Sequence, residues 1–346
     1  MPTLKEIAQK AGVSAALISA YLNGRSSARM RAETRERIDA ALRETGYRPS
    51  PIARALRTGK SGIIGYLASS LQNEVSRQEL VCFHETLAAH GFKMMTRYTK
   101  SEHLLFMEGC QELISMGCDG LIVSSIAHKE TLDFCRTLPV PVVGLCKNRG
   151  WNQYDFMIEE NFRPGVESAM RHLKSQGHRN VVFLSFNWNY EPDPRYLVYR
   201  EFFPGGVAEI RPAKEMSGTA WMKDILRRHP DTTAFFCSDD HCAMAALGAL
   251  NELGFRVPQD FALIGFDNLP ATSFLHLASI SRPQKEKAES AVTLLESKLK
   301  NETVQISRIF PSEFIPRFSC FKAIGDQNVP LTIKKEKGRH HEQIKK

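Results

Sequence analysis

The chain has 346 residues, 42% hydrophobic and 24% charged, which excludes wholesale disorder and supplies enough apolar material for a sizeable core. No apolar stretch approaches the ~20 residues of a membrane-spanning helix, and the opening MPTLKEIAQK lacks the apolar run of a secretory signal, so neither is expected. The net charge of +8 is uneven: residues 1–60 hold 12 Lys/Arg against 5 Asp/Glu, residues 61–325 hold 28 against 30, and residues 326–346 hold 6 against 3. A basic head on a near-neutral body suggests a polyanion-binding module joined to something else.

Thr3, with Glu6 three residues on, predicts a capping box at the start of a first helix. Leu4, Ile7, Ala8 and Ala11 share one helical face, and Gly12 predicts its stop. Ser14 is a candidate cap for a second helix ending at Asn23, with Leu17, Ile18, Tyr21 and Leu22 as its apolar face. A third helix is expected from Ala32 to Thr45, with Ile38, Ala41 and Leu42 inward and Gly46 at its end. Two short helices joined by a tight glycine turn make a helix-turn-helix, here assigned to residues 1–47.

The strings TLKEIAQKAGVS, ISAYLNG, ETRERI and GYRPSPIARALRTG, in that order, resemble the DNA-binding head of the lac repressor (LacI/GalR) family of bacterial transcription regulators. The resemblance implies that the second helix lies in the major groove, with Thr3, Ser14, Ala15, Ala16, Ser19, Ala20, Asn23 and Arg25 at the DNA. Where the family carries polar reading residues, this chain has Ala15, Ala16 and Ala20. Their methyl groups can touch the thymine methyl but neither donate nor accept, so thymine-biased reading is expected. Arg25, Arg29 and Arg31 are candidates for phosphate contacts. Residues 48–60 match the family's hinge, a segment too short to hold a helix alone in water. The resemblance implies that Leu56, flanked by Ala53 and Arg57, wedges into the minor groove.

From Ser61 the pattern changes to strands alternating with helices. Strands are expected at 62–70, 91–95, 117–123 and 141–145, with helices ending at His90, near 102–116 and near 129–137. After a break at 147–155 the pattern restarts: helices near 164–176, 218–228 and 241–253, and strands at 180–186, 233–238 and 261–267. Such alternation means parallel sheets, and two successive sets mean two lobes. The first lobe is assigned to about 61–157 plus 284–305 and the second to about 158–283 plus 306–325. The fold class is thus an all-α helix-turn-helix head on a two-lobed α/β core resembling periplasmic binding proteins. Residues 326–346 read as a disordered basic tail.

Ligands of open parallel sheets sit beyond the carboxyl ends of the strands, which places a cleft between the lobes. MRHLKSQGHRNVVFLS, SDDHCAMAALGALNELGFRVPQDFALIGFDN and FPSEFIPRFSC extend the family resemblance across the body. It implies effector contacts by Arg195, Asp239 and Asp267, with Ser69, Asn73 and Trp221 as further candidates. Two carboxylates and a guanidinium suit a polyhydroxylated ligand such as a sugar. Asp240 is expected to cap the helix beginning near His241.

No P-loop, G-x-G-x-x-G, H-E-x-x-H or G-x-S-x-G motif occurs, so no enzyme, cofactor or metal site is expected. Eight scattered cysteines without a C-x-x-C pair fit a reduced, cytoplasmic protein. The sequence reads as a regulator binding a pseudo-palindromic operator as a homodimer, under control of a small molecule. A regulator without an effector and a ligand binder of the solute-binding type are the alternatives.

Overall fold

The computed structural model describes residues 2–22, 30–47, 59–100, 102–126, 128–147, 150–151, 154–186, 193–211, 217–306 and 308–321. Asn23, Arg25, Arg29, Ala53, Leu56, Arg57 and the 326–346 tail, all named above, lie outside the described residues.

Three helices build the head: α1 (Leu4–Ala11), α2 (Ala15–Leu22) and α3 (Ala32–Thr45). The capping box is formed, with Glu6 N donating to Thr3 Oγ1 at 3.3 Å and Thr3 N to Glu6 Oε2 at 3.0 Å. Gly12 ends α1 at φ 65°, a left-handed conformation that favours glycine. Ser14 Oγ then accepts from Leu17 N at 3.1 Å, starting α2. Ile7, Ala8, Ala11, Ile18, Ile38 and Ala41 make the head's small core. Ala15 packs partly against this core, whereas Leu17, expected on the inner face, is not among the residues packed there. Tyr21 Oη donates to Asp39 Oδ1 at 2.7 Å and fastens α2 to α3.

The first lobe is wound around strands β1 (Ile63–Ala68), β2 (Lys93–Tyr98), β3 (Gly120–Val123), β4 (Val142–Lys147) and β5 (Met157–Asn161). Helices α4 (Glu74–Ala89), α5 (His103–Ser115) and α6 (Lys129–Cys135) connect them. The second lobe follows with α7 (Arg163–Ser175), β6 (Val181–Ser185), α8 (Pro194–Phe202), β7 (Val207–Ile210), α9 (Gly218–Arg228), β8 (Ala234–Cys237), α10 (Asp240–Glu252) and β9 (Ala262–Ile264). The chain ends its described course through α11 (Pro270–Phe274), β10 (Ser279–Ser281), α12 (Gln284–Lys300), β11 (Ile309–Pro311) and β12 (Glu313–Ile315).

The first sheet has six parallel strands ordered β2-β1-β3-β4-β5-β11, and the second has four, ordered β7-β6-β8-β9. Each carries an apolar layer on both faces, as parallel sheets covered by helices do. β11 adds to the first sheet beside β5, so that lobe extends to residue 161 and takes in 309–311, beyond the 157 and 305 borders read from the sequence. α12 also returns to the first lobe, where Ala288, Ala291, Val292 and Leu295 pack with Ile64, Phe83 and Leu87. β10 and β12 pair antiparallel near the crossings between lobes.

A chain of buried charges fixes this arrangement. Arg282, just before α12, sets Nε and Nη2 on the Glu160 carboxylate of β5 at 2.6 and 2.7 Å. Lys287 Nζ of α12 reaches Glu79 of α4 at 2.7 Å and Glu160 at 3.2 Å. Burial alone would raise both carboxyls, but Lys287 and Arg282 outweigh it and hold them below the usual carboxylate range. Seven of the eight cysteines are buried and all eight are thiols, with burial pushing Cys110 and Cys135 up to about 12.

Removing one partner of such a network leaves uncompensated buried charge. Lys287→Met is therefore expected to cost ~3–5 kcal/mol. Lys298→Ala breaks only the pair with Asp155, which is 81% exposed, and should cost under about 1 kcal/mol. Urea unfolding of both variants checks this; equal losses would count against the network.

Candidate DNA interface and inter-lobe cleft

On α2, Ala16 is exposed, while Ser19 and Ala20 are half-buried; Thr3 and Ser14 are exposed at the helix starts. Both hydroxyls are engaged as caps, so they position the two helices. The outward surface of α2 is formed largely by methyl groups. Arg31 is exposed at the start of α3.

The carboxyl ends of the two sheets bring a second set of residues together. Arg195, in the first turn of α8, holds Asp193 through Nε at 2.8 Å and Nη2 at 2.6 Å, and its Nη1 donates to the Ser238 carbonyl. Its guanidinium stands 5.0 Å from the Phe266 ring centroid and 6.0 Å from that of Phe162. Burial opposes ionisation of Asp193, but the Arg195 charge outweighs it and holds the carboxyl low. Asp239 accepts from Cys242 N at 2.9 Å and from Ser238 Oγ at 2.8 Å.

The cap of α10 is therefore Asp239, not Asp240 as the sequence suggested. Asp240 is the buried first residue of the helix, and its oxygens accept from Leu269 N at 2.7 Å and Ser279 Oγ at 2.6 Å. Gly265 lies so close to Asp240 Oδ1 that any Cβ would collide with it. Burial, aided by the nearby charges of Asp267 and Asp239, pushes Asp240 up to about 7 against the pull of its two hydrogen bonds. Asp267 sits at φ 107° after β9, with Arg282 Nη1 3.5 Å away. Its pKa is raised, chiefly by burial and only partly offset by Arg282 and Arg195.

The remaining candidates separate. Ser69, at the end of β1, is bonded to Ser124: its N donates to Ser124 Oγ at 2.9 Å. Asn73 caps α4, accepting from Ser76 N at 2.8 Å. Trp221 is a correction to the expected ligand contact: it is 2% exposed, packed in the second lobe's core beside Phe186. A large indole on an amphipathic helix gains more from that burial than from an open cleft.

Sequence reasoning missed Glu160, Asp193, Arg282 and Lys147. Lys147 and Glu160 face each other in register at the ends of β4 and β5. Only the position of Lys147 and Glu160 next to apolar strand residues offered a signal, and the run of carboxylates in MIEEN hid β5 altogether.

A separate cavity of about 580 Å³ lies at the opposite, amino ends of the second sheet, lined by Lys174, Arg179, Arg228 and His229 among others. Helices α7, α8 and α9 end there, and cations in the last turns of helices complement their carbonyl dipoles. These basic groups need no ligand to explain them.

The model of bacterial regulatory proteins of the lacI family matches residues 3–50, and that of a periplasmic binding protein-like domain matches residues 170–320. The transcriptional repressor PurR of Erwinia tasmaniensis is 27% identical over 90% of this chain and 95% of its own. The chain thus joins a lacI-family DNA-binding head to a periplasmic binding protein-like body. It is a DNA-binding regulator and not an enzyme. Another lacI-family relative, the Escherichia coli K12 regulator GntR, is 25% identical over 88% of this chain and 93% of its own. Among solved structures, the lac repressor dimer bound to operator and the anti-inducer ONPF shares the fold, with a TM-score of 0.73 at 21% identity, covering 92% of this chain and 99% of that one. The regulator CelR in complex with cellobiose gives 0.61 at 22% identity, covering 92% and 100%. No helix of the described residues is long and apolar enough to cross a membrane.

A carboxyl whose folded pKa lies above its unfolded value of ~3.9 favours the folded state at low pH, and that contribution fades as pH rises toward the folded value. For Asp240 the window runs from ~4 to about 7. Asp240→Asn can accept from Leu269 N through its amide oxygen and donate its NH2 to Ser279 Oγ, reversing that bond, and should flatten the stability profile. Between those pH values the unaltered protein is expected to lose on the order of 2–4 kcal/mol relative to the variant. Parallel pH profiles in denaturant melts would remove Asp240 as the group responsible.

Proposed function

We propose that this chain is a lacI-family repressor that binds a pseudo-palindromic operator as a homodimer and acts in the cytoplasm, where its DNA is. The observation that carries this reading is the completed helix-turn-helix on the basic segment of the chain, with α2 fastened by Tyr21 and Asp39 and its outer face open. Thr3, Ser14, Ala15, Ala16, Ser19, Ala20, Asn23 and Arg25 serve the major groove, and Ala53, Leu56 and Arg57 the minor groove. Binding selection from a random duplex library is the test. The expected product is two inverted half-sites flanking a deformable central step, with thymines opposite the alanine face and affinity falling steeply with salt. Enrichment of no sequence would overturn operator recognition.

The dimer uses an exposed apolar surface of the second lobe. Phe274 is 83% exposed and Leu275 follows it, while Phe318 stands nearby because Ser319 N donates to His276 O at 3.1 Å. A second copy of the chain is the natural cover for such a patch. Phe274→Asp is expected to shift sedimentation toward the monomer and to weaken binding to the full palindrome at least tenfold while sparing a single half-site. An unchanged dimer would place the interface elsewhere.

The same reading makes the inter-lobe cleft the effector site. Arg195, Asp239 and Asp267 are its second-lobe contacts and Ser69 and Asn73 its first-lobe contacts, for a polyhydroxylated ligand. An effector that changes the lobe angle changes the spacing of the two hinges, with a coupling of ~1–3 kcal/mol typical of such devices.

A further inference from the structure

Most polar groups facing the cleft already have internal partners. Arg195 is held by Asp193 and the Ser238 carbonyl, Arg282 by Glu160, Lys287 by Glu79 and Glu160, and Asp239 by the cap of α10. Lys147 differs. It ends β4, at the cleft side of the first sheet, and is exposed. No carboxylate among the described residues lies within ion-pair distance of its amine. Its surroundings are nonetheless crowded with charge. Arg282 and Lys287 repel it, Glu79 of α4 and Glu160 of β5 attract it, and Asp267 of the other lobe senses its field. The Arg282 charge is the largest influence, followed by the loss of hydration where protein surrounds the exposed side chain, and together they lower Lys147 to about 8. Glu160 is already clamped by Arg282 and Lys287, so it has little left to offer Lys147. An exposed ammonium at a strand end that opens on the cleft, with the paired Arg282 guanidinium behind it and no carboxylate of its own within reach, is a ready acceptor for an anion.

We propose that the effector carries a carboxylate or phosphate that Lys147 binds from the first lobe, while Asp267 accepts its hydroxyl groups from the second. This rests on the cleft reading above and narrows it from polyhydroxylated ligands in general to sugar acids and sugar phosphates. Lys147 is the specificity-determining residue, since neutral sugars offer nothing to its ammonium that water does not. The anion also relieves the repulsion between Lys147 and Arg282, so binding raises the Lys147 pKa and takes up protons near pH 8.

Calorimetry on the full chain tests this with glucose, gluconate, glucose 6-phosphate and inorganic phosphate, for the unaltered protein and Lys147→Met. Inorganic phosphate and at least one charged sugar are expected to bind at least tenfold more tightly than glucose, with affinity falling between pH 7 and 9. Lys147→Met should erase that preference without lowering the Tm. Gluconate against glucose 6-phosphate separates carboxylate from phosphate. Glucose binding as tightly as the charged probes in both proteins overturns the role of Lys147 and leaves the cleft reading standing. No heat from any of the four overturns both.

Discussion

The Glu160 carboxylate is fully buried at the end of a parallel strand, and the rest of the body is arranged so that it can be. Burying one charge costs several kcal/mol unless it is paired and hydrogen-bonded. Here the pairing draws on α12 through Lys287, on the segment between the lobes through Arg282, and on α4 through Glu79, to which Tyr66 of β1 also donates at 3.0 Å. The outermost contact, Arg282 to Asp267, reaches the second lobe. A displacement at Asp267 is thus felt by side chains that end on α4. Physical continuity of this kind is a route for coupling, and it becomes a mechanism when both ends bias a two-state element.

The second lobe solves a related problem differently. Its charged groups are placed at helix starts, where backbone N–H groups and short side chains satisfy them: Asp193 at α8 and Asp239 and Asp240 at α10. Arg195 is aimed by its bond to Asp193 and by the rings of Phe162 and Phe266. The groups that meet a ligand are therefore ordered before it arrives, which lowers the entropy lost on binding. An incoming ligand competes with contacts that already exist, and this sets a floor on how well it must fit.

Much of this was legible in the sequence. Helical periodicity, Thr3, Gly12 and Ser14 gave the head its helices, because caps and turns are local chemistry. Apolar runs gave most strands of both sheets. β5 was not legible because Glu159 and Glu160 read as a surface loop until the partners of Glu160, more than a hundred residues away, are known. β11 and β12 were too short to carry a pattern. The cleft residues Arg195, Asp239 and Asp267 came from family resemblance, whereas Trp221 failed because an indole's role depends on which helix face it occupies. Lys147 shows locally only as a charge closing an apolar run; its meaning comes from Arg282 across the crossing.

The order in which the chain is made gives the Glu160 network one more consequence. β5 leaves the ribosome long before Arg282 and Lys287 do, since residues 163–281 of the second lobe intervene. Until then the first lobe holds Glu160 of β5 and Glu79 of α4 at interior positions without their ion-pair partners, and β11 has not yet covered the edge of the sheet. The amino-terminal lobe cannot be completed by itself during synthesis. It waits, partly open, for the last fifth of the chain, so a truncated polypeptide ending before α12 presents an unfinished sheet rather than a rival with a working head and body.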